Sequence, residues 1–200
     1  MLYVLSRSFL LKTHFFTYFT LYIHFLFYKG HKGGEMIPNI LLTRIDNRLI
    51  HGQVGVTWTK NLGANLLLVA NDAVANDPMQ QKMMAVTAKS SGAGFRFFSL
   101  EKTAAIISKA APEQKIFIIC KTPADVRYLV KHGVPIKDLN VGNMHFSKGK
   151  RAISKKVYVD DSDYADLKAI EAADVNVFIQ DVPGDEKLKI EQFKKGENAL

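Results

Sequence analysis

Within eight residues the chain places two guanidinium groups, a carboxylate and an imidazole: Arg44, Asp46, Arg48 and His51. Gly52 and Gln53 follow at once, where a segment of helical period opens. The chemistry suited to such a group is phosphoryl binding and transfer. Arginine keeps its charge and grips phosphate oxygens with a planar fork of donors. The first backbone N–H groups of a helix starting at Gly52 and Gln53 form an anion site. An imidazole there is nucleophilic enough to become a phosphohistidine. Asp46 has two possible tasks: to hold the imidazole in one tautomer, or to keep an arginine in place. Residue types and spacing alone describe an anion-binding loop. Their plainer alternative is a solvated histidine beside a surface Arg–Asp pair of little energetic worth.

Such a loop needs a scaffold. From Met36 onward, short β-branched or Leu-rich runs alternate with longer stretches of helical period. The pattern predicts strands over 37–42, 65–70, 95–98, 115–120, 138–141, 156–159 and 175–179. Helices are expected over 53–62, 77–91, 101–109, 123–131 and 163–173, with a polar, Gly-rich connection between the strands at 138–141 and 156–159. The fold class that follows is α/β: a single domain with an open, mostly parallel sheet and helices on both faces. Ligands bind such sheets beyond the carboxyl ends of the strands. That places the 43–53 loop, Asn71-Asp72 and Lys121-Thr122 at the edge to inspect. Asn71 and Asp72 are candidate phosphate-binding residues, with a turn or helix cap as the other reading. Trp58 reads as a packing residue, Cys120 as an inert apolar one, and His132 as a charge partner at a helix end. His145 shares a polar loop with Lys148, Lys150 and Arg151 and reads as solvated surface, with partner docking as its alternative role.

The composition narrows the classes. Two hundred residues, 48% hydrophobic and 23% charged, suffice for one globular domain with a proper core. A lone cysteine cannot form an internal disulfide. No Cys/His cluster has zinc spacing and no Gly-rich nucleotide loop follows a strand, so neither metal nor cofactor is expected. The net charge of +8 favours acidic partners, phosphate groups or an anionic membrane surface. The basic residues are scattered, without a run interleaved with aromatics, so no nucleic acid is expected. Residues 1–35 differ from the rest in holding six of the thirteen Phe and four of the seven Tyr. Lys32-Gly33-Gly34-Glu35 ahead of Met36 matches a translated ribosome-binding site, so 1–35 is expected to be a non-native or disordered extension and 36–200 the working domain. Mass spectrometry of the native N-terminus checks this; any upstream start contradicts it.

The string Arg44-Ile45-Asp46-Asn47-Arg48-Leu49-Ile50-His51-Gly52-Gln53-Val54 closely resembles the phosphorylation motif of the IIB proteins of the mannose, fructose and sorbose class of bacterial sugar phosphotransferase systems. Val69-Ala70-Asn71-Asp72, Ala75 to Gln80, and Leu139-Asn140-Val141-Gly142-Asn143-Met144 resemble later stretches of the same family, and the surroundings are similar to its N-acetylgalactosamine branch. The resemblance implies a phosphocarrier. A IIA protein phosphorylated on histidine would donate to His51, and His51 would pass the group to a sugar bound by IIC and IID membrane subunits. It further implies a cytoplasmic protein held at the inner face of the membrane by those subunits, with a homodimer possible. In that relay Arg44 and Arg48 would neutralise the transferring oxygens, and Asp46 would orient His51 or Arg48. The alternatives are a non-catalytic regulatory relative of the same fold and a receiver-like domain phosphorylated on Asp72.

Overall fold

The computed structural model describes residues 37–190; the expectation for residues 1–35 lies outside the described residues. Among the described residues are nine strands: β1 (Ile40–Asp46), β2 (Leu66–Ala70), β3 (Gly94–Phe98), β4 (Ile116–Cys120), β5 (Asp138–Asn143), β6 (Arg151–Ser154), β7 (Val157–Val159), β8 (Asn176–Ile179) and β9 (Leu188–Lys189). A π-helical segment, Gln53–Trp58, runs directly into α1 (Thr59–Leu62). It is followed by α2 (Asp72–Ala75), α3 (Pro78–Lys89), α4 (Leu100–Ile106), α5 (Pro123–Lys131) and α6 (Asp161–Glu171).

Seven strands form one sheet in the order β3-β2-β4-β1-β5-β8-β9, parallel except for the antiparallel edge strand β9. Hydrophobic clusters fill both faces. Leu42, Val54, Trp58, Met84 and Phe117 pack on one side, and Ile45, Val126, Leu139 and Leu167 on the other. Helices therefore cover both faces, as the alternating pattern requires. Each fully buried Ile, Leu or Phe in these layers contributes roughly 1.5–3 kcal/mol. Helix starts carry their own chemistry: Thr122 and Asp125 form a capping box around Pro123, and the Asp77 side chain caps α3.

Two expectations are corrected. The segment at 157–159 is not part of the parallel sheet; it pairs antiparallel with β6, inside the stretch read as a polar connection. Four residues containing Arg151 and Ser154 are too short and too polar to show a strand period. The first strand is the second correction. It starts at Ile40 rather than at 37 and continues through Thr43, Arg44, Ile45 and Asp46, four residues past its expected end. Those four residues are buried because β1 lies in mid-sheet between β4 and β5.

Candidate active site

The strand period of two decides what Arg44 and Asp46 do. Leu42, Arg44 and Asp46 point to one face of β1, the face covered by Trp58, whose ring lies 4.9 Å from the Arg44 Cζ. Arg44 is fully buried. Its Nη2 donates to Asp46 Oδ2 at 3.1 Å, and its Nη1 donates to Asn140 Oδ1 and to the Gln180 carbonyl. Space for the guanidinium comes from the neighbouring strand, where a Cβ on Gly142 would sit 1.9 Å from Arg44 Cζ. The register also shifts here, with Ile45 opposite Val141 but Asp46 opposite Asn143. Arg44, expected on phosphate oxygens, lies fully buried next to Asp46 with both Nη atoms bonded to acceptors of the protein.

Asp46 is the hub. Oδ2 receives Arg44 and faces His51 Nε2, each at 3.1 Å. Oδ1 accepts the Arg48 backbone N–H at 3.1 Å and Asn143 Nδ2 at 3.3 Å. Burial alone would raise its pKa. The hydrogen bond with His51, the charges of Arg44 and His51 and the Arg48 N–H outweigh that and hold it below the ordinary carboxylate value. A group depressed in the folded state lends stability above its unfolded pKa and loses it as pH falls through the folded one. The Asp46 carboxyl carbon is therefore expected to titrate below the ordinary carboxylate value in NMR, with its share of stability lost as pH falls through that depressed value; an inflection at or above the free-residue value contradicts the arrangement.

Between Asp46 and His51 the chain turns sharply. Leu49 N–H donates to the Asp46 carbonyl at 2.9 Å, closing a turn, and Leu49 takes the left-handed conformation with φ 55°. A bulky residue held there stores strain, offset by burial of Leu49 and Ile50 in the core. The result is that His51 comes back over the strand it just left, 18% exposed, with Nε2 against Asp46. A carboxylate only accepts, so Nε2 carries the proton and Nδ1 presents the lone pair. Arg48 stands beside it with its side chain 49% exposed and Nε 4.0 Å from Asp46 Oδ1. Gly52 opens the helix without a side-chain cap, and a Cβ there would meet nothing within 4 Å.

Asn71 and Asp72 are used elsewhere. Asn71 caps α2 through Val74 N–H and donates to Asp125, while Asp72 accepts the Leu100 N–H. Their strand, β2, is separated from β1 by β4, about 10 Å across the sheet, and neither bonds to the His51–Asp46 group. Burial raises the Asp125 pKa despite the N–H groups of Lys121 and Thr122 and the Asn71 amide. Cys120 is likewise raised well above its usual value by burial and the Asp125 charge, and is inert. Among the described residues no group of His, Cys, Asp and Glu is placed to hold a metal ion.

Residue-by-residue reading of the loop missed its second tier. Asn47 donates to the Lys121 carbonyl at 2.8 Å and accepts the His145 backbone N–H at 2.6 Å, lacing together the loops after β1, β4 and β5. Asn143 is shared between Asp46 and His145 Nε2. The signal for these was present: in the strand Asp138–Asn143 the apolar Leu139 and Val141 alternate with Asn140, Gly142 and a closing Asn143.

A family model described as PTS (phosphotransferase) system sorbose subfamily IIB component matches residues 40–199. The N-acetylgalactosamine-specific phosphotransferase enzyme IIB component 1 of Escherichia coli (strain K12) is 66% identical over 153 residues, covering 76% of this chain and 97% of that protein. The mannose-specific EIIAB component of the same organism is 34% identical over 151 residues, covering 74% of this chain and 46% of that protein. The crystal structure of the N-acetylgalactosamine-specific IIB component 1 from Escherichia coli superposes with a TM-score of 0.75 at 66% identity, over 76% of this chain and 99% of that one. A buried Arg–Asp pair aiming a histidine from the end of the central strand is thus carried by a chain that belongs to the sorbose subfamily of phosphotransferase-system IIB components.

Proposed function

We propose that His51 Nδ1 accepts a phosphoryl group from the phosphohistidine of a IIA protein and delivers it to a sugar entering through IIC and IID membrane subunits. The observation that carries this reading is the His51 Nε2–Asp46 Oδ2 hydrogen bond of 3.1 Å, which commits one ring nitrogen and leaves the other as nucleophile. As the Nδ1 lone pair attacks phosphorus, positive charge spreads over the ring, and the Nε2–H shares it with the Asp46 carboxylate. The donor's P–N bond breaks and its ring leaves as neutral imidazole. Arg48 is placed to meet the phosphoryl oxygens, and the uncapped N–H groups at Gly52 and Gln53 add an anion cradle. Such a transfer needs alignment and charge neutralisation rather than acid–base chemistry. Asp46 acts on His51, and Arg44 acts through Asp46.

A IIA donor is supported by the mannose-specific relative, whose name joins a IIA and a IIB part. N-acetylgalactosamine as the sugar rests on the likeness to the Escherichia coli component that carries that name. No helix of the described residues is long and apolar enough to cross a membrane, so we propose attachment to the membrane through the transporter subunits. The test is labelling from phosphoenolpyruvate through the general phosphotransferase proteins and the IIA protein of the same system. The expected product holds one acid-labile, base-stable phosphoryl group, mapped by mass spectrometry to the peptide containing His51. A base-labile label at Asp72 would assign the chain to acyl-phosphate signalling instead.

A further inference from the structure

Met79, Met83 and Val86, the large exposed apolar side chains of α3, form one ridge. Met79 and Met83 are 70% and 69% exposed, one helical turn apart. One turn further on, Thr87 packs on the π-helical segment, where a Cβ on Gly55 would lie 3.0 Å from Thr87 Cγ2. Residues four apart are turned by only about 40° around a helix, so Met83 stands next to Thr87 on the flank toward the segment headed by His51, and Met79 stands about 40° further toward solvent. Both helical segments lead back from the carboxyl ends of parallel strands on the same face of the sheet, and so run in the same sense.

Height follows from the helical rise. His51 lies one turn before Gly55, whose N–H donates to the His51 carbonyl, and so stands nearer the carboxyl edge. Met83 lies four residues before Thr87, at the same level as His51. Met79 stands one turn higher, about 6 Å above that level on the open side. Helix packing separates the two axes by about 8–10 Å. A protein that brings its own histidine to phosphoryl-transfer distance of His51 covers about 800 Å² around it, a patch of roughly 16 Å radius. The methionine ridge falls inside that footprint.

We propose that Met79 and Met83 form the apolar contact on which the phosphodonor protein seats, a proposal that rests on His51 being the acceptor. Methionine suits the task, since its unbranched side chain repacks against an incoming surface. Exposed cations stand on α3 and on the loops next to His51: Lys82 on the helix, Arg48 in the His51 loop, and Lys121, whose carbonyl accepts the Asn47 amide. The nearby carboxylates are occupied, Asp77 in capping α3 and Asp72 in holding the Leu100 N–H. The matching donor face is apolar at its centre and acidic at its rim.

The experiment compares the full-length wild type with Met79→Asp/Met83→Asp, Met79→Leu/Met83→Leu and Ile37→Asp. Ile37 is 81% exposed and precedes β1 at the opposite edge of the sheet. Each is phosphorylated in two ways: by the phosphorylated IIA protein, and by phosphoramidate, a small donor that needs no docking. The aspartate pair is expected to lower transfer from IIA by about 10- to 100-fold through KM, with phosphoramidate labelling and melting temperature unchanged. The leucine pair and Ile37→Asp are expected to transfer as wild type does. Equal transfer by the aspartate pair overturns the proposal, as does an equal loss in the leucine pair or in Ile37→Asp. So does an aspartate pair that merely dissociates a wild-type dimer, which would assign the ridge to a second copy. Failure of the wild type to label with either donor overturns the acceptor assignment itself, a result distinct from a docking defect.

Discussion

His51→Ala is expected to take up no phosphoryl group under conditions that label the wild type fully, and Asp46→Asn to label slower by about 10²- to 10⁴-fold while keeping the same site. The two variants separate nucleophile from support. Alanine removes the imidazole that Asp46 holds. Asparagine keeps the shape of residue 46 but removes its negative charge and offers an amide N–H where the carboxylate accepted. An amide N–H facing Nε2 selects the opposite tautomer, which puts the proton on Nδ1 and masks the nucleophile. The charge that develops on the ring also loses its counter-ion. Rates are to be measured on the folded fraction, because Asp46→Asn also strips Arg44 of its ion partner. Full labelling of His51→Ala would mean that another residue is the acceptor. Wild-type rates in Asp46→Asn would mean that the 3.1 Å hydrogen bond has no part in transfer.

Gly142→Ala is expected to destabilise the fold by roughly 3–5 kcal/mol, because at no other described glycine would an added methyl fall so close to its neighbours. The methyl would occupy the Arg44 guanidinium, whose Cζ, Nη1 and Nη2 all lie within about 2.2 Å of the added carbon. Arg44 has nowhere to withdraw, being fully buried between Trp58 and β5. Displacing it breaks its bonds to Asp46, Asn140 and the Gln180 carbonyl together, leaving a buried carboxylate without its cation. Transfer by His51 should fall in parallel, although Gly142 touches neither His51 nor any reacting atom. Urea unfolding gives the stability directly. The control is Gly52→Ala, where the backbone is right-handed helical and the added carbon meets nothing, so stability should change little. A Gly142 variant within about 1 kcal/mol of wild type would show that the Arg44 seat is plastic and not a close fit.

The fold class and the family motif around His51 were legible in the chain for separate reasons. Strand and helix periods are local, so runs such as Ile116–Cys120 and Pro123–Lys131 announce themselves through β-branched residues, a Pro at the first helical position and a capping Thr122. The density of ionisable groups between Arg44 and His51 is also local, and together with the family resemblance it pointed to His51, Arg48 and Asp46 as one group.

Other assignments were beyond such reading. A lone Arg or Asp is read as solvated because the strand pattern has no term for what lies on the neighbouring strand. Tertiary structure brings Asn140 and the Gln180 carbonyl, 96 and 136 residues away, to Arg44, and it opens the Gly142 gap that admits the guanidinium. The same holds for Asn71 and Asp72, whose places at a strand end fitted a phosphate site equally well until β4 was found between their strand and β1. Most of the elements and the loop that carries His51 could be read from the chain alone, because both depend on neighbours along it. That Arg44 lies buried against Asp46 while the Arg48 side chain stands half exposed is a matter of tertiary structure, because burial depends on which strands become neighbours in space.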